Sequence, residues 1–138
     1  MTMEKIYLGR YSHPIVCNDL FYVCSISLGR PKFKLDYVVD DFVALAAPDS
    51  ATLAGFKGGD DRDFWIARYV AQLDQAEEVL TRELDRLLRR AKSLQKDLLF
   101  LCFENVEAGE FCHRSIFASW ASARRAVEFV ELRDRKSA

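Results

Sequence analysis

Five side chains able to do chemistry stand within thirteen positions near the C-terminus: Cys102, Glu104, Cys112, His113 and Arg114. Cys102 closes an apolar run over 98–103, and Cys112-His113-Arg114 opens a segment of helical periodicity. In open α/β sheets ligands bind beyond the carboxyl ends of the strands, where helix N-termini aim backbone N–H groups. A strand ending near 102 and a helix starting near 113 would place all five residues there. The positive end of a helix lowers a cysteine pKa, and a neighbouring imidazole or guanidinium lowers it further, so Cys112 is the best thiolate candidate. Arg114 has the planar fork that suits a phosphate or carboxylate. Glu104 suits a general base or a ligand for a ribose hydroxyl. A structural role stands beside each. Cys102 fits as buried packing material, His113 as a cap or loop tie, Arg114 as the partner of Glu104 or Glu110, and Cys112 as a structural residue.

These residues need a sheet to hold them, and the chain carries its signals. The run 5–8, closed by Gly9, predicts a first strand. The run 20–27 is aromatic and branched throughout, as in a strand covered on both faces, and Gly29-Arg30-Pro31 ends it. Residues 36–47 fit a short helix or a strand. Pro48 and Gly55, Gly58 and Gly59 mark a loop over 48–61. Asp61-Arg62-Asp63 resembles a helix start, followed by Trp65, Ile66, Tyr69, Val70 and Leu73 at helical spacing. A second helix after Asp74 carries the stripe Leu80, Leu84, Leu87, Leu88 and Ala91. Arg82, Arg86, Arg89, Arg90 and Lys92 occupy its other side. Their simplest reading is a solvated face matched to the helix dipole, with a phosphate- or nucleic-acid-facing patch as the alternative. The run 98–103 predicts a central strand. Ile116, Trp120, Ala123, Val127 and Val130 predict a closing helix of about five turns, and residues 133–138 a polar tail. Strand signals alternating with helical ones specify an α/β fold. The expectation is a single domain over 1–138, ordered from about 5 to 131, with a small, mostly parallel sheet in a Rossmann-like three-layer arrangement.

Composition narrows the function classes. The chain has 138 residues, 30% of them charged, and a formal net charge of −1. That balance gives no whole-molecule attraction to nucleic acid or an anionic membrane. No apolar stretch reaches the roughly 18 residues of a membrane span, and the N-terminus lacks the order of a signal peptide. A cytoplasmic location with reduced cysteines follows as the expectation. The four cysteines lie 7, 78 and 10 residues apart, so there is no Cys-x-x-Cys pair or zinc knuckle. The glycines form neither a dinucleotide fingerprint nor a Walker loop. No cofactor or metal is expected. A mixed zinc site of Cys102, Cys112 and His113, completed by Cys17, Cys24 or His13, is the alternative, although adjacent Cys112 and His113 would have to bend toward one ion.

Cys102-Phe103-Glu104, then Gly109-Glu110-Phe111-Cys112-His113-Arg114, with Trp120 beyond, resembles the signature of the DUF488 family. Lys5-Ile6-Tyr7 with Gly9 is similar to that family's opening strand and turn. Ser25-Ile26-Ser27 followed by Pro31-Lys32-Phe33 is similar to its second strand and basic loop. Ala46-Ala47-Pro48 with Lys57, then Tyr69, is similar to its middle section. The resemblance covers most of residues 5–122. It implies an α/β fold and a shared site around Cys102, Glu104, Cys112, His113 and Arg114. It implies no particular reaction. Many members carry an acidic residue on the second strand, where this chain has Cys24-Ser25, so no acid–base role is assigned there.

The leading functional expectation is a domain that binds a phosphate-bearing ligand such as a nucleotide or nucleic-acid component, with processing of that ligand left open. Cys112, Glu104 and His113 would be its catalytic residues. Arg114, Cys102, Ser25, Ser27, Lys32 and Tyr69 would be its ligand-binding residues, with Arg30 adding charge. The competing expectation is a non-catalytic binding or interaction module in which the motif is structural. No membrane partner is expected, and self-association as a homodimer stays open.

Overall fold

A computed structural model describes residues 4–27, 29, 31–52, 61–102 and 113–132. Its elements are β1 (Glu4–Arg10), β2 (Phe21–Ser25), β3 (Asp41–Phe42), a 3-10 turn (Ala44–Ala46), α1 (Arg62–Gln75), α2 (Glu77–Ser93), β4 (Asp97–Cys102), α3 (His113–Ser122) and β5 (Val127–Glu131). The five strands form one sheet in the order β3-β2-β4-β1-β5, and every pairing is parallel. The mixed α/β, Rossmann-like layering expected from the sequence is the one found.

The pleat sorts side chains between two faces, because successive residues of a strand point opposite ways. Ile6, Leu8, Tyr22, Cys24, Leu98, Phe100 and Cys102 meet the helices on one face. Each helix supplies a stripe to that core: Trp65, Tyr69 and Leu73 from α1, Leu80, Leu84, Leu87 and Ala91 from α2, Phe117 and Trp120 from α3. On the other face Val23, Leu99 and Leu101 are covered by Tyr11, Val16, Leu35, Tyr37, Val39 and Leu132. The second cover is thus built from the segments around 11–16 and 35–39 rather than from helices. Double coverage explains why β2 is buried along its whole length and β4 from Leu98 onward. Gly9 admits this packing at β1: a Cβ there would stand 3.2 Å from Leu132 Cδ1 and 3.4 Å from Leu101 Cδ2.

Local signals account for the helix ends. The helix start expected at 61–63 is found, and the Asp61 side chain caps α1 by accepting from the Phe64 N–H at 3.3 Å. After α2, Gln95 takes a left-handed conformation (φ 57°), Gln95 N–H bonds Lys92 O at 3.0 Å and Lys96 N–H bonds Ala91 O at 2.9 Å. That is a Schellman closure with glutamine in the place glycine usually fills. Two of the five cations on the basic side of α2 are paired: Arg82 with Glu78, and Arg86 with Asp41 and Glu83. This favours the solvated-face reading.

Two expectations change. The closing helix of five turns does not form. α3 stops at Ser122, and residues 127–131 make β5, paired in parallel with β1. Val127, Phe129 and Val130 are branched or aromatic residues suited to a strand, and with the β1 edge beside them this outweighs the helical spacing of Val127 and Val130. The ambiguous 36–47 segment resolves into extended chain, a two-residue strand and a 3-10 turn. In the segment expected to be a loop, residues 50–52 are helical, while 53–60, like the tail 133–138, lie outside the described residues.

Candidate functional site

The carboxyl ends of β1, β2 and β4 lie side by side, with Ile26 N–H on Leu101 O (3.1 Å) and Tyr11 N–H on Cys102 O (3.2 Å). The expected site residues divide between the two faces of this edge.

On the helix face, α3 begins with His113 and Arg114, both buried. His113 Nε2 lies 2.7 Å from Ile26 O. A carbonyl can only accept, so Nε2 carries the proton and the ring ties the start of α3 to the end of β2. Burial pushes the His113 pKa down to about 4, against the upward effect of the Ile26 bond and with a smaller downward one from the Arg114 charge. His113 is therefore neutral at physiological pH. Its ring meets Tyr69 edge-on, with centroids 5.7 Å apart. Tyr69 is fully buried, its hydroxyl donates to Ala46 O, and burial raises its pKa.

Arg114 is 1% exposed. Its Nε and Nη2 form a fork on the Glu131 carboxylate at 2.8–3.2 Å, and its Nη1 donates to Cys102 Sγ at 2.9 Å. The guanidinium thus joins the ends of β4 and β5 to the first turn of α3. Its acidic partner is Glu131, from a strand that the sequence reading took for helix. Glu104 and Cys112 lie outside the described residues, as does Glu110. Cys102 is disulfide-bonded, whereas Cys17 and Cys24 are free thiols. The expectation that all the cysteines are reduced is corrected at Cys102.

On the opposite face, Tyr11 Oη lies 2.5 Å from Ser25 Oγ and 2.6 Å from Ser27 Oγ, and the two serine hydroxyls are 3.2 Å apart. Tyr37 Oη donates to Tyr11 O at 2.6 Å. Ser25 and Ser27 were expected from the sequence; Tyr11, which organises them, was not. Its only signal is an aromatic residue just past the end of β1. Two clefts open beside it. One, of about 380 Å³, is lined by Tyr11, Pro31, Phe33, Val38 and Phe42 among others. The other, of about 270 Å³, is lined by Ser12, His13, Lys34, Asp36 and Tyr37, and shares Tyr11, Phe33 and Leu35 with the first. Lys32 is exposed on the segment that walls them.

The structure therefore brings Cys102, His113, Arg114 and Tyr69 together on the helix face, and Ser25 and Ser27 together on the face that carries the clefts. Backbone at the end of β2 separates the groups. Among the described residues no three His, Cys, Asp or Glu gather in a metal-binding cluster. Cys24 has an arginine six residues on, Arg30, the spacing of a cysteine-phosphatase cradle. Yet Cys24 lies within β2 and is fully buried, and burial together with Asp41 and Asp40 raises its thiol pKa. It is a core residue. No helix among the described residues is long and apolar enough to cross a membrane.

A family model described as the active DUF488-N3 subclade matches residues 18–125. No curated protein and no solved structure matches the chain.

Proposed function

We propose that this chain, which belongs to the DUF488 family, binds and processes a phosphate-bearing small molecule, a nucleotide or nucleic-acid component, at the carboxyl edge of its sheet. The observation that carries the reading is the Tyr11–Ser25–Ser27 hydroxyl cluster, which stands beside two clefts at the strand ends. Parallel sheets bind ligands at that edge, in clefts with a few convergent polar groups. The description of the matching subclade as active supports processing as well as binding.

In this reading Ser25 and Ser27 hold Tyr11 in the wall of the clefts, and Lys32, exposed on the neighbouring segment, attracts the phosphate. Arg114 is a positioning residue. Its charge is matched by Glu131, and it holds Cys102 at the strand end. His113 is neutral and fixes the entry of α3 against β2. Cys112 supplies the nucleophile and Glu104 the acid–base group, both assigned from the sequence motif. Because Cys102 is disulfide-bonded, the active protein is assayed under reducing conditions.

Titration calorimetry of the reduced protein with ribose 5-phosphate and the four common ribonucleoside 5′-monophosphates tests this. The expected result is saturable, salt-sensitive binding that Lys32→Ala weakens, with any product formation lost in Cys112→Ser. Absence of binding by every one of these probes overturns the reading. A second reading, a non-catalytic module whose motif is structural, draws on the burial of Arg114 and its fork on Glu131. It predicts that Cys112→Ser leaves every function intact while Arg114→Gln destroys the fold.

A further inference from the structure

Large apolar side chains left in water are common singly; gathered round a concavity they mark a contact surface. Phe33 is 51% exposed, Val38 67% and Phe42 43%, and all three line the same cleft with Pro31 and Leu35. Tyr11 lines that cleft too. It is 2% exposed and held by Ser25, Ser27 and Tyr37. The outer wall is fixed as well: Asn18 Nδ2 donates to Val38 O at 2.8 Å, and Val38 N–H donates to Asn18 Oδ1 at 2.7 Å. At the base of the same segment Asp40 accepts from the Val23 N–H at 2.8 Å. The cleft is preformed.

The adjoining cleft differs in chemistry. It carries a cation (Lys34), a carboxylate (Asp36), and the hydroxyls and imidazole of Ser12, Tyr37 and His13. Phe33, Leu35 and Tyr11 line both. An apolar recess and a polar one, sharing an exposed aromatic side chain, fit a ligand with one flat apolar end and one hydroxylated, anionic end. The larger recess, about 380 Å³, lies in the range of small-molecule sites and the smaller, about 270 Å³, just below it; the pair has room for one nucleotide but not a folded polymer.

We infer that the paired clefts around Phe33 seat a single nucleotide, with its base against Phe33 and Phe42 in the apolar recess and its sugar phosphate in the recess of Asp36 and Lys34. The inference rests on the phosphate-ligand reading above and adds to it the base, its location and a specificity-determining aromatic. Asp36 accepts from sugar hydroxyls, and Lys34 meets the phosphate.

Isothermal titration with the four ribonucleoside 5′-monophosphates, adenosine and ribose 5-phosphate tests the inference, using the reduced full chain and two variants. Phe33→Ala removes an exposed ring, and Val38→Asp places a charge in the apolar recess; both positions are solvent-facing, so circular dichroism should show an unchanged fold. At least one nucleotide is expected to bind about tenfold more tightly than ribose 5-phosphate, since stacking a base on an aromatic contributes roughly 1–3 kcal/mol. Both variants should remove that advantage over ribose 5-phosphate. Equal affinity for nucleotide and ribose 5-phosphate, or a nucleotide affinity unmoved in both variants, overturns the inference while the phosphate reading survives. Binding of adenosine without ribose 5-phosphate, lost in Phe33→Ala, upholds the base recess and overturns the phosphate reading. Failure of all probes overturns both.

Discussion

Acid should unfold this protein through His113. The imidazole is 6% exposed, commits Nε2–H to Ile26 O, and lies beside the Arg114 guanidinium. Protonation would place a charge in a desolvated site, with a smaller repulsion from Arg114, which is why its pKa falls from 6.5 to about 4. An unfolded chain binds that proton near pH 6.5, before the folded chain does. The stability difference is therefore fully present above pH 6.5 and is lost as pH falls from 6.5 toward 4. At 1.36 kcal/mol per pKa unit, the shift is equivalent to about 3 kcal/mol, a large share of a typical domain's stability. His113→Gln keeps an N–H donor for Ile26 O and removes the titration. Urea denaturation at half-unit steps from pH 7.5 to 4.5 measures it. The wild type should lose about 2–3 kcal/mol more than His113→Gln over that range, with the difference opening below pH 6.5. Parallel stability curves for the two proteins would refute the reasoning, because the buried neutral imidazole would then carry no pH dependence.

Three further outcomes follow from particular contacts. Arg114→Met should cost about 3–5 kcal/mol, because it leaves the Glu131 carboxylate 16% exposed and without its fork; the same denaturation assay reads it, and Arg114→Met with Glu131→Leu should recover part of the loss. Gln95→Gly should raise the urea midpoint by the equivalent of about 1 kcal/mol, since φ 57° there penalises a residue with a Cβ. Tyr11→Phe should cost about 1 kcal/mol by removing the Tyr11 Oη bonds to Ser25 and Ser27, which keep their mutual contact at 3.2 Å, and should weaken nucleotide binding in the calorimeter.

The parts legible in the sequence were those in which local pattern and tertiary demand agree. The stripe Leu80, Leu84, Leu87 and Ala91 could be buried only as a helix, and it is. The apolar runs of β2 and β4 announced strands covered on both sides. What covers the second side was not legible, because Leu35, Tyr37 and Val39 lie in a stretch whose spacing suits more than one structure. β5 was hidden because Val127 and Val130 also satisfy a helical spacing; only the open edge of β1 decides for strand. That single misreading concealed Glu131, and with it the reason Arg114 is buried as an ion pair. The motif correctly brought Cys102, His113 and Arg114 together, since a strand end and the helix start that follows it pack side by side. Tyr11 escaped because nothing local distinguishes a tyrosine that organises two serines from one that fills a core.

Chemical-shift mapping by NMR, with the reduced protein titrated by the ribonucleoside monophosphate that binds best, tests the proposed ligand edge most directly. Perturbed amides should cluster at Tyr11, Ser25, Ser27 and residues 31–39. The cleft at the opposite edge, lined by Glu4, Leu88, Lys92 and Gln95, should stay silent. Shifts confined to that opposite cleft, or none at saturating nucleotide, would contradict the placement of a ligand site at the carboxyl ends of β1 and β2.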